Sequence, residues 1–280
     1  MSETLLTVEN LRVSFPIAGG RRTEVVKGVS FNLGRERLAI VGESGSGKST
    51  TVRSLIGLAG PRAMVSAGSA RFDGRELLSL HAHALSAIRG RRIAMIVQDP
   101  RQGLNPVRTV GRQMAEMLRL HRAIPRAKLR ATAEALFDDV HIRDPRRVCD
   151  LYPHQLSGGM AQRVMIAMML SAGPDLLIAD EATAALDAVV QKHILELIDE
   201  QVKLRGMGLI LISHDLELVS HFADRILVMY AGKIVETLTS EQGYRSARHP
   251  YTRGLMDCTP SLERPGERLP VLARDPAWGQ

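Results

Sequence analysis

Leu38-Ala39-Ile40-Val41 runs into Gly42-Glu43-Ser44-Gly45-Ser46-Gly47-Lys48-Ser49, and then into Thr50-Thr51-Val52-Arg53-Ser54-Leu55-Ile56. A short apolar run, a glycine-rich turn and a helical stretch follow one another without interruption. The glycines let successive backbone N–H groups turn inward around an anion with no Cβ in the way. The helix that follows points the positive end of its dipole at the same place. This is the layout of a phosphate-binding loop, with Gly42, Glu43, Ser44, Gly45, Ser46, Gly47, Lys48, Ser49 and Thr50 as its residues. Lys48 supplies a point charge for β- and γ-phosphates, and the hydroxyl of Ser49 suits a Mg²⁺ ion that bridges them. A loop that merely turned would not need the lysine, the hydroxyl and the strand-to-helix setting together.

A second segment, Leu176-Leu177-Ile178-Ala179-Asp180-Glu181, follows Gly173-Pro174 and reads as a buried parallel strand ending on two carboxylates. Neighbouring residues leaving a strand point in different directions. Asp180 can therefore hold Mg²⁺ through water while Glu181 faces an attacking water as base or orienting group. A strand-terminal acidic pair is a weak signal alone and a strong one downstream of a phosphate loop. The two segments together point to one ATP site.

Between them lies Leu156-Ser157-Gly158-Gly159-Met160, followed by the helical run Ala161 to Leu170. Ser157 reads as the cap of that helix, with two glycines exposing its first N–H groups as a second anion site. In this position the pentapeptide resembles the signature of ATP-binding cassette (ABC) proteins. The resemblance extends from near the N-terminus to the neighbourhood of Leu255. It implies two nucleotide-binding domains joined head to tail, with Ser157, Gly158 and Gly159 of one clasping the γ-phosphate held by the other. It further implies that Gln98 senses Mg²⁺ and the attacking water, that His214 contacts the γ-phosphate and that Asp187 reaches across the dimer. Phe15 falls where such proteins stack a ring on adenine, although an aromatic residue ending an N-terminal strand is as commonly packing.

Composition agrees with a compact enzyme: 280 residues, 45% of them hydrophobic and 24% charged. No stretch reaches the roughly 20 apolar residues of a membrane helix, and Met1-Ser2-Glu3-Thr4 lacks the blocks of a signal peptide, so a cytosolic location is expected. Two cysteines, Cys149 and Cys258, are too few for a disulfide framework or a cysteine metal cluster. The formal charge of +7 comes from scattered arginines rather than a stripe, so no nucleic-acid partner is expected; docking beneath an anionic bilayer would also benefit from it, and solvated arginine-rich helices account for any single residue.

Leu5 to Phe15 and Val25 to Leu33 read as N-terminal strands around a Gly19-Gly20-Arg21-Arg22 turn, and Ser69 to Phe72 with Asp73-Gly74 as a hairpin. Ile93 to Val97 reads as a strand ending at Gln98. Val110 to Leu120 and Lys128 to Val140 read as helices, with Pro125 and Pro145 as breaks, and Ala188 to Leu204 as a last helix. Leu209 to Ile212 and Arg225 to Tyr230 complete the strands. The expected fold is α/β: a P-loop NTPase core of mainly parallel sheet, an N-terminal antiparallel β subdomain and an inserted α-helical subdomain. The expected domains are 1–240 for nucleotide binding, with the helical subdomain near 99–172, and 241–280 as a family-specific tail.

His249-Pro250-Tyr251-Thr252-Arg253-Gly254-Leu255, with Gln98-Asp99-Pro100 and Leu104-Asn105-Pro106, resembles ATPases of peptide and nickel importers. That resemblance implies two transmembrane permease subunits, a second ABC ATPase in a homo- or heterodimer, and an extracytoplasmic substrate-binding protein acting indirectly. It also implies peripheral attachment at the cytoplasmic face of the inner membrane, with peptides, nickel or metal–chelator complexes as cargo. A cassette acting on ribosomes or DNA is the alternative, though such chains usually carry two cassettes or a long coiled coil; a catalytically weak regulatory cassette is another. Three residues depart from the usual pattern: Ala182 follows Glu181 where proline is usual, Ala161 stands for arginine, and Ala184 for serine or threonine. None removes a principal catalytic group. The loop after Glu181 is expected to be less rigid without its proline.

Overall fold

A computed structural model describes residues 4–122, 124–184, 186–240, 246–258 and 278; most of the expected 241–280 tail lies outside them. In chain order the strands are β1 (Leu6–Pro16), β2 (Arg22–Leu33), β3 (Arg37–Val41), β4 (Met64–Ser66), β5 (Ser69–Phe72), β6 (Arg75–Glu76), β7 (Ile93–Ile96), β8 (Leu176–Asp180), β9 (Gly208–Ser213), β10 (Arg225–Tyr230) and β11 (Lys233–Thr239). The helices are α1 (Lys48–Leu55), α2 (Ala82–Ile88), α3 (Pro100–Gly103), α4 (Val110–His121), α5 (Leu129–Asp138), α6 (Pro145–Asp150), α7 (Gly158–Leu170), α8 (Ala188–Arg205), α9 (Leu216–Ser220) and α10 (Pro250–Asp257). They form two compact units, Met1–Leu85 with Gly208–Gln280, and Ser86–Met207.

In the first unit, β2, β1, β5 and β6 form an antiparallel sheet with β4 also on β1. Alternation drives it: Leu6, Val8, Leu11 and Val13 of β1 are buried while Glu9 and Arg12 are exposed. The phase shifts between Val8 and Leu11, an irregularity at which Asn10 takes φ 51°. Beside it stand β11, β10, β3 and β9. β3 pairs in parallel with β10 and β9, and β11 returns antiparallel on β10 through Ala231-Gly232. Leu38, Ala39, Ile40 and Val41 are all buried, as a parallel strand covered on both faces requires.

In the second unit β7 and β8 pair in parallel, and every residue of β8 is buried. Helices α4, α5 and α6 bury Met114, Leu118, Phe137 and Val148. Gly111 lies so close to α6 that a Cβ there would come within 2.6 Å of the Cys149 carbonyl oxygen. The Gln113 side chain accepts from the Asn105 N–H and donates to the Asn105 and Arg108 carbonyls, stapling the preceding loop to α4.

Several boundaries differ from the sequence reading for physical reasons. β7 ends at Ile96, so Val97 and Gln98 lie in the following loop. Pro145 does not only interrupt: it is the first residue of α6, where its missing N–H costs nothing, and Asp144 caps that helix by accepting from the Arg147 N–H. The helix from Ala188 is not the last, because α9 and α10 follow it. Both are too short for a periodicity signal. No described helix is long and apolar enough to cross a membrane.

Candidate functional site

The phosphate loop is built by glycine geometry. Gly42, Gly45 and Gly47 take φ values of 147°, 83° and 101°, and α1 begins at Lys48 immediately after the left-handed Gly47. A Cβ on Gly42 would sit 2.1 Å from the Met229 carbonyl oxygen, and one on Gly47 2.9 Å from that of Val25. The loop therefore lies flat on β2 and β10. Lys48, 4% exposed, arches back and donates from Nζ to the carbonyls of Gly42 (2.7 Å) and Glu43 (2.8 Å). Ser49 and Thr50 occupy the first turn of α1, half-buried, where helix geometry leaves backbone N–H groups without intrahelical acceptors.

Ser46 is 5% exposed, and its hydroxyl has no hydrogen-bond partner among the described residues. Such an orphan costs on the order of 1–3 kcal/mol until an acceptor meets it. Together with Lys48 and the left-handed glycines, this fits a triphosphate. In the first unit the Ser49 hydroxyl is an oxygen donor of the kind a hard divalent cation such as Mg²⁺ takes, and in the second the Asp180 carboxylate is another.

His214 leaves the end of β9. Val41 pairs with Ser213, so the strands carrying the loop and His214 end at one level. His214 is exposed, and its turn is set by Asp215, whose N–H donates to Ser213 Oγ at 3.0 Å and whose carboxylate caps α9. Phe15 pairs with Thr23 and is half-buried, unlike the fully buried Val13.

The second unit repeats this strand-end logic. Ile96 pairs with Ala179, so Gln98 and the Asp180-Glu181 pair follow neighbouring strand ends. Asp180 is 1% exposed; Gln98 is exposed. Glu181 is half-buried with φ 50°, a left-handed backbone that a non-glycine residue adopts only under tertiary constraint. The loop behind it is tied without proline: the Ala184 N–H donates to the Glu181 carbonyl and Gln191 Nε2 to that of Thr183. Ala182 is itself buried.

Ser157 caps α7, accepting from the Met160 N–H at 3.3 Å, and Asp187 caps α8, accepting from the Val190 N–H at 3.0 Å. The two capped ends adjoin. A Cβ on Gly158 would stand 3.4 Å from Leu186, and one on Gly159 3.2 Å from Val190. Ser157, Gly158, Gly159 and Asp187 thus border one exposed region of this unit. Ala161 is completely buried in α7.

A family model described as ABC transporter matches residues 26–184. The chain belongs to the ABC transporter family. Relatives include a dipeptide transport ATP-binding protein, DppD, of Bacillus subtilis (strain 168), 44% identical over 276 residues, spanning 98% of this chain and 82% of that one. An oligopeptide transport ATP-binding protein, OppD, of Lactococcus lactis subsp. cremoris (strain SK11) is 42% identical over 272 residues, 97% and 80% of the two chains. Among solved structures, a dimeric ATP-binding cassette in a post-hydrolysis state bound to ADP and Pi superposes with a TM-score of 0.74 at 25% identity, covering 84% of this chain and 99% of that one. As a member of the ABC family the chain is an ATPase with the α/β cassette fold. Reasoning from sequence passed over two contacts made by this cassette's phosphate loop: Gly232, whose N–H donates to the Ser46 carbonyl, and Tyr251, whose hydroxyl receives the Glu43 N–H.

Proposed function

We propose that this chain is the ATP-hydrolysing subunit of a binding-protein-dependent importer that brings peptides across the cytoplasmic membrane. The single observation that carries the reading is the built phosphate loop, with Lys48 arched over it and Gly42 and Gly47 set where a side chain would meet backbone. Its close relatives are named for peptide, oligopeptide and dipeptide transport, which favours a peptide cargo over nickel or metal chelators. On this reading residues 1–240 are the nucleotide-binding domain, 99–172 face the two permease subunits, and 241–280 are a family-specific tail.

The loop residues Gly42 to Thr50 bind the phosphates and Phe15 takes the adenine. Ser49, Asp180 and Gln98 would hold Mg²⁺, which when bound neutralises phosphate charge. Glu181 orients the attacking water and His214 meets the terminal phosphate. Ser157, Gly158, Gly159 and Asp187 serve the nucleotide of a second cassette, in keeping with dimeric structural relatives. Closure drives transport only because ATP favours the closed pair over the open one. The subunit sits peripherally on the cytoplasmic face, fed indirectly by an extracytoplasmic binding protein.

The test is reconstitution with the permease pair in proteoliposomes. We expect ATP hydrolysis to rise when peptide-loaded binding protein is added, and that stimulation to vanish in Lys48→Ala. Cosedimentation with ribosomes or DNA, without permease association, would favour the alternative.

A further inference from the structure

Glu43, inside the phosphate loop, donates its backbone N–H to the phenol oxygen of Tyr251 at 2.9 Å, across 208 positions of chain. Tyr251 is completely buried in the first turn of α10. Its seat is built. Glu236 of β11 accepts the N–H groups of Arg248 (2.6 Å) and His249 (3.2 Å) through Oε1, and His249 Nδ1 accepts the N–H of Tyr251 (3.2 Å). The ring packs on Tyr230 of β10 with centroids 4.5 Å apart, and Trp278 stands 5.8 Å from Tyr230 and 5.9 Å from Tyr251. A second hold on the loop comes from the β10–β11 turn, where Gly232 N–H donates to the Ser46 carbonyl at 3.0 Å. Two downstream segments therefore fix the loop backbone at two points. A loop ordered beforehand gives up less entropy when its ligand binds.

We infer that Tyr251 is a positioning residue of the phosphate loop: held by the 246–258 segment, its phenol oxygen engages the Glu43 N–H and keeps the loop shaped for nucleotide. The residue acts through Glu43 rather than on phosphate. This inference rests on the nucleotide reading of the loop and adds to it a role for the C-terminal segment.

Mg-ADP is titrated calorimetrically into the full chain as wild type, Lys48→Ala and Tyr251→Phe; the Phe substitution keeps the ring and removes the acceptor. We expect Tyr251→Phe to bind about five-fold more weakly, the factor typical of one lost hydrogen bond. In the permease complex the loss should fall on KM for ATP rather than on kcat. Amide exchange at Glu43 should quicken, and the nucleotide-induced change in fluorescence of Trp278, the single tryptophan, should shrink. Unchanged affinity in Tyr251→Phe beside a binding wild type and a weakened Lys48→Ala would overturn the inference alone. A wild type that does not bind Mg-ADP would overturn the nucleotide reading and this inference with it. If Tyr251→Phe does not fold, exchange at the Glu43 amide of the wild type decides: strand-like protection supports the role, and exchange as fast as in an exposed loop overturns it.

Discussion

Lys48 and Glu181 carry the sharpest single-residue expectations. Removing the Lys48 ammonium deletes a buried charge and the bonds it donates to the Gly42 and Glu43 carbonyls, so Lys48→Ala should weaken nucleotide binding by at least roughly ten-fold, with a stability loss of about 1–3 kcal/mol. Calorimetric titration and thermal melting separate the two effects. Glu181→Gln keeps size while removing the carboxylate proposed to orient water; we expect it to retain ATP and to elute as a dimer in ATP-containing buffer. Normal turnover by that variant would refute the assignment. Gly42 leaves no tolerance, since a Cβ would lie 2.1 Å from a carbonyl oxygen, so Gly42→Ala should fold poorly or lose nucleotide binding. The two cysteines should differ in reactivity. Burial pushes the Cys149 thiol up to about 11, holding it protonated, so at pH 8 iodoacetamide should label half-buried Cys258 first and Cys149 only on unfolding. The raised value means the protonated thiol is favoured in the fold; its stabilising share is complete below the ordinary value and is lost as pH rises towards 11.

The starts of α6, α7 and α8 in the second unit are set by side-chain caps, and two of them allow a controlled comparison. Asp144→Ala should cost about 1 kcal/mol and lower Tm by a few degrees, leaving nucleotide affinity untouched, because Asp144 only caps α6. Ser157→Ala removes an equivalent cap from α7 and should cost a similar amount of stability. If Ser157 also serves a partner's nucleotide, hydrolysis by the assembled transporter should fall at least roughly ten-fold beyond what the melting shift explains. A turnover loss no greater than that of Asp144→Ala would reduce Ser157 to a cap. The start of α7 was legible because a capping hydroxyl and paired glycines act within four residues. The start of α6 was not read, since Pro145 signals an interruption as readily as a first helical residue, and only the Asp144 contact with the Arg147 N–H decides between them.

For the whole molecule the central expectation is a shared engine. If each triphosphate is held between two cassettes, a mixture of a Lys48→Ala chain and a Ser157→Arg chain should recover part of the activity that each lacks alone, because one composite site remains intact. No recovery on mixing, or full hydrolysis by isolated chains at any dilution, would count against it. The capped starts of α7 and α8 border one exposed region, with Ser157 and Asp187 both exposed there.

Local chemistry was readable from residue order. The phosphate loop needs left-handed glycines in a fixed spacing, β8 needs five apolar-to-acidic residues in a row, and Ser157 needs only the next helical turn. Each of these is a contest settled among neighbours in the chain. What residue order left open were the long-range decisions: that Val41 lies beside Ser213, that Ile96 lies beside Ala179, and that Glu43 reaches Tyr251 across 208 positions. Likewise Glu181 gave no hint of its positive φ. Strand neighbours and buried tyrosines are chosen by which faces can exclude water together, a competition among distant segments that no short window contains.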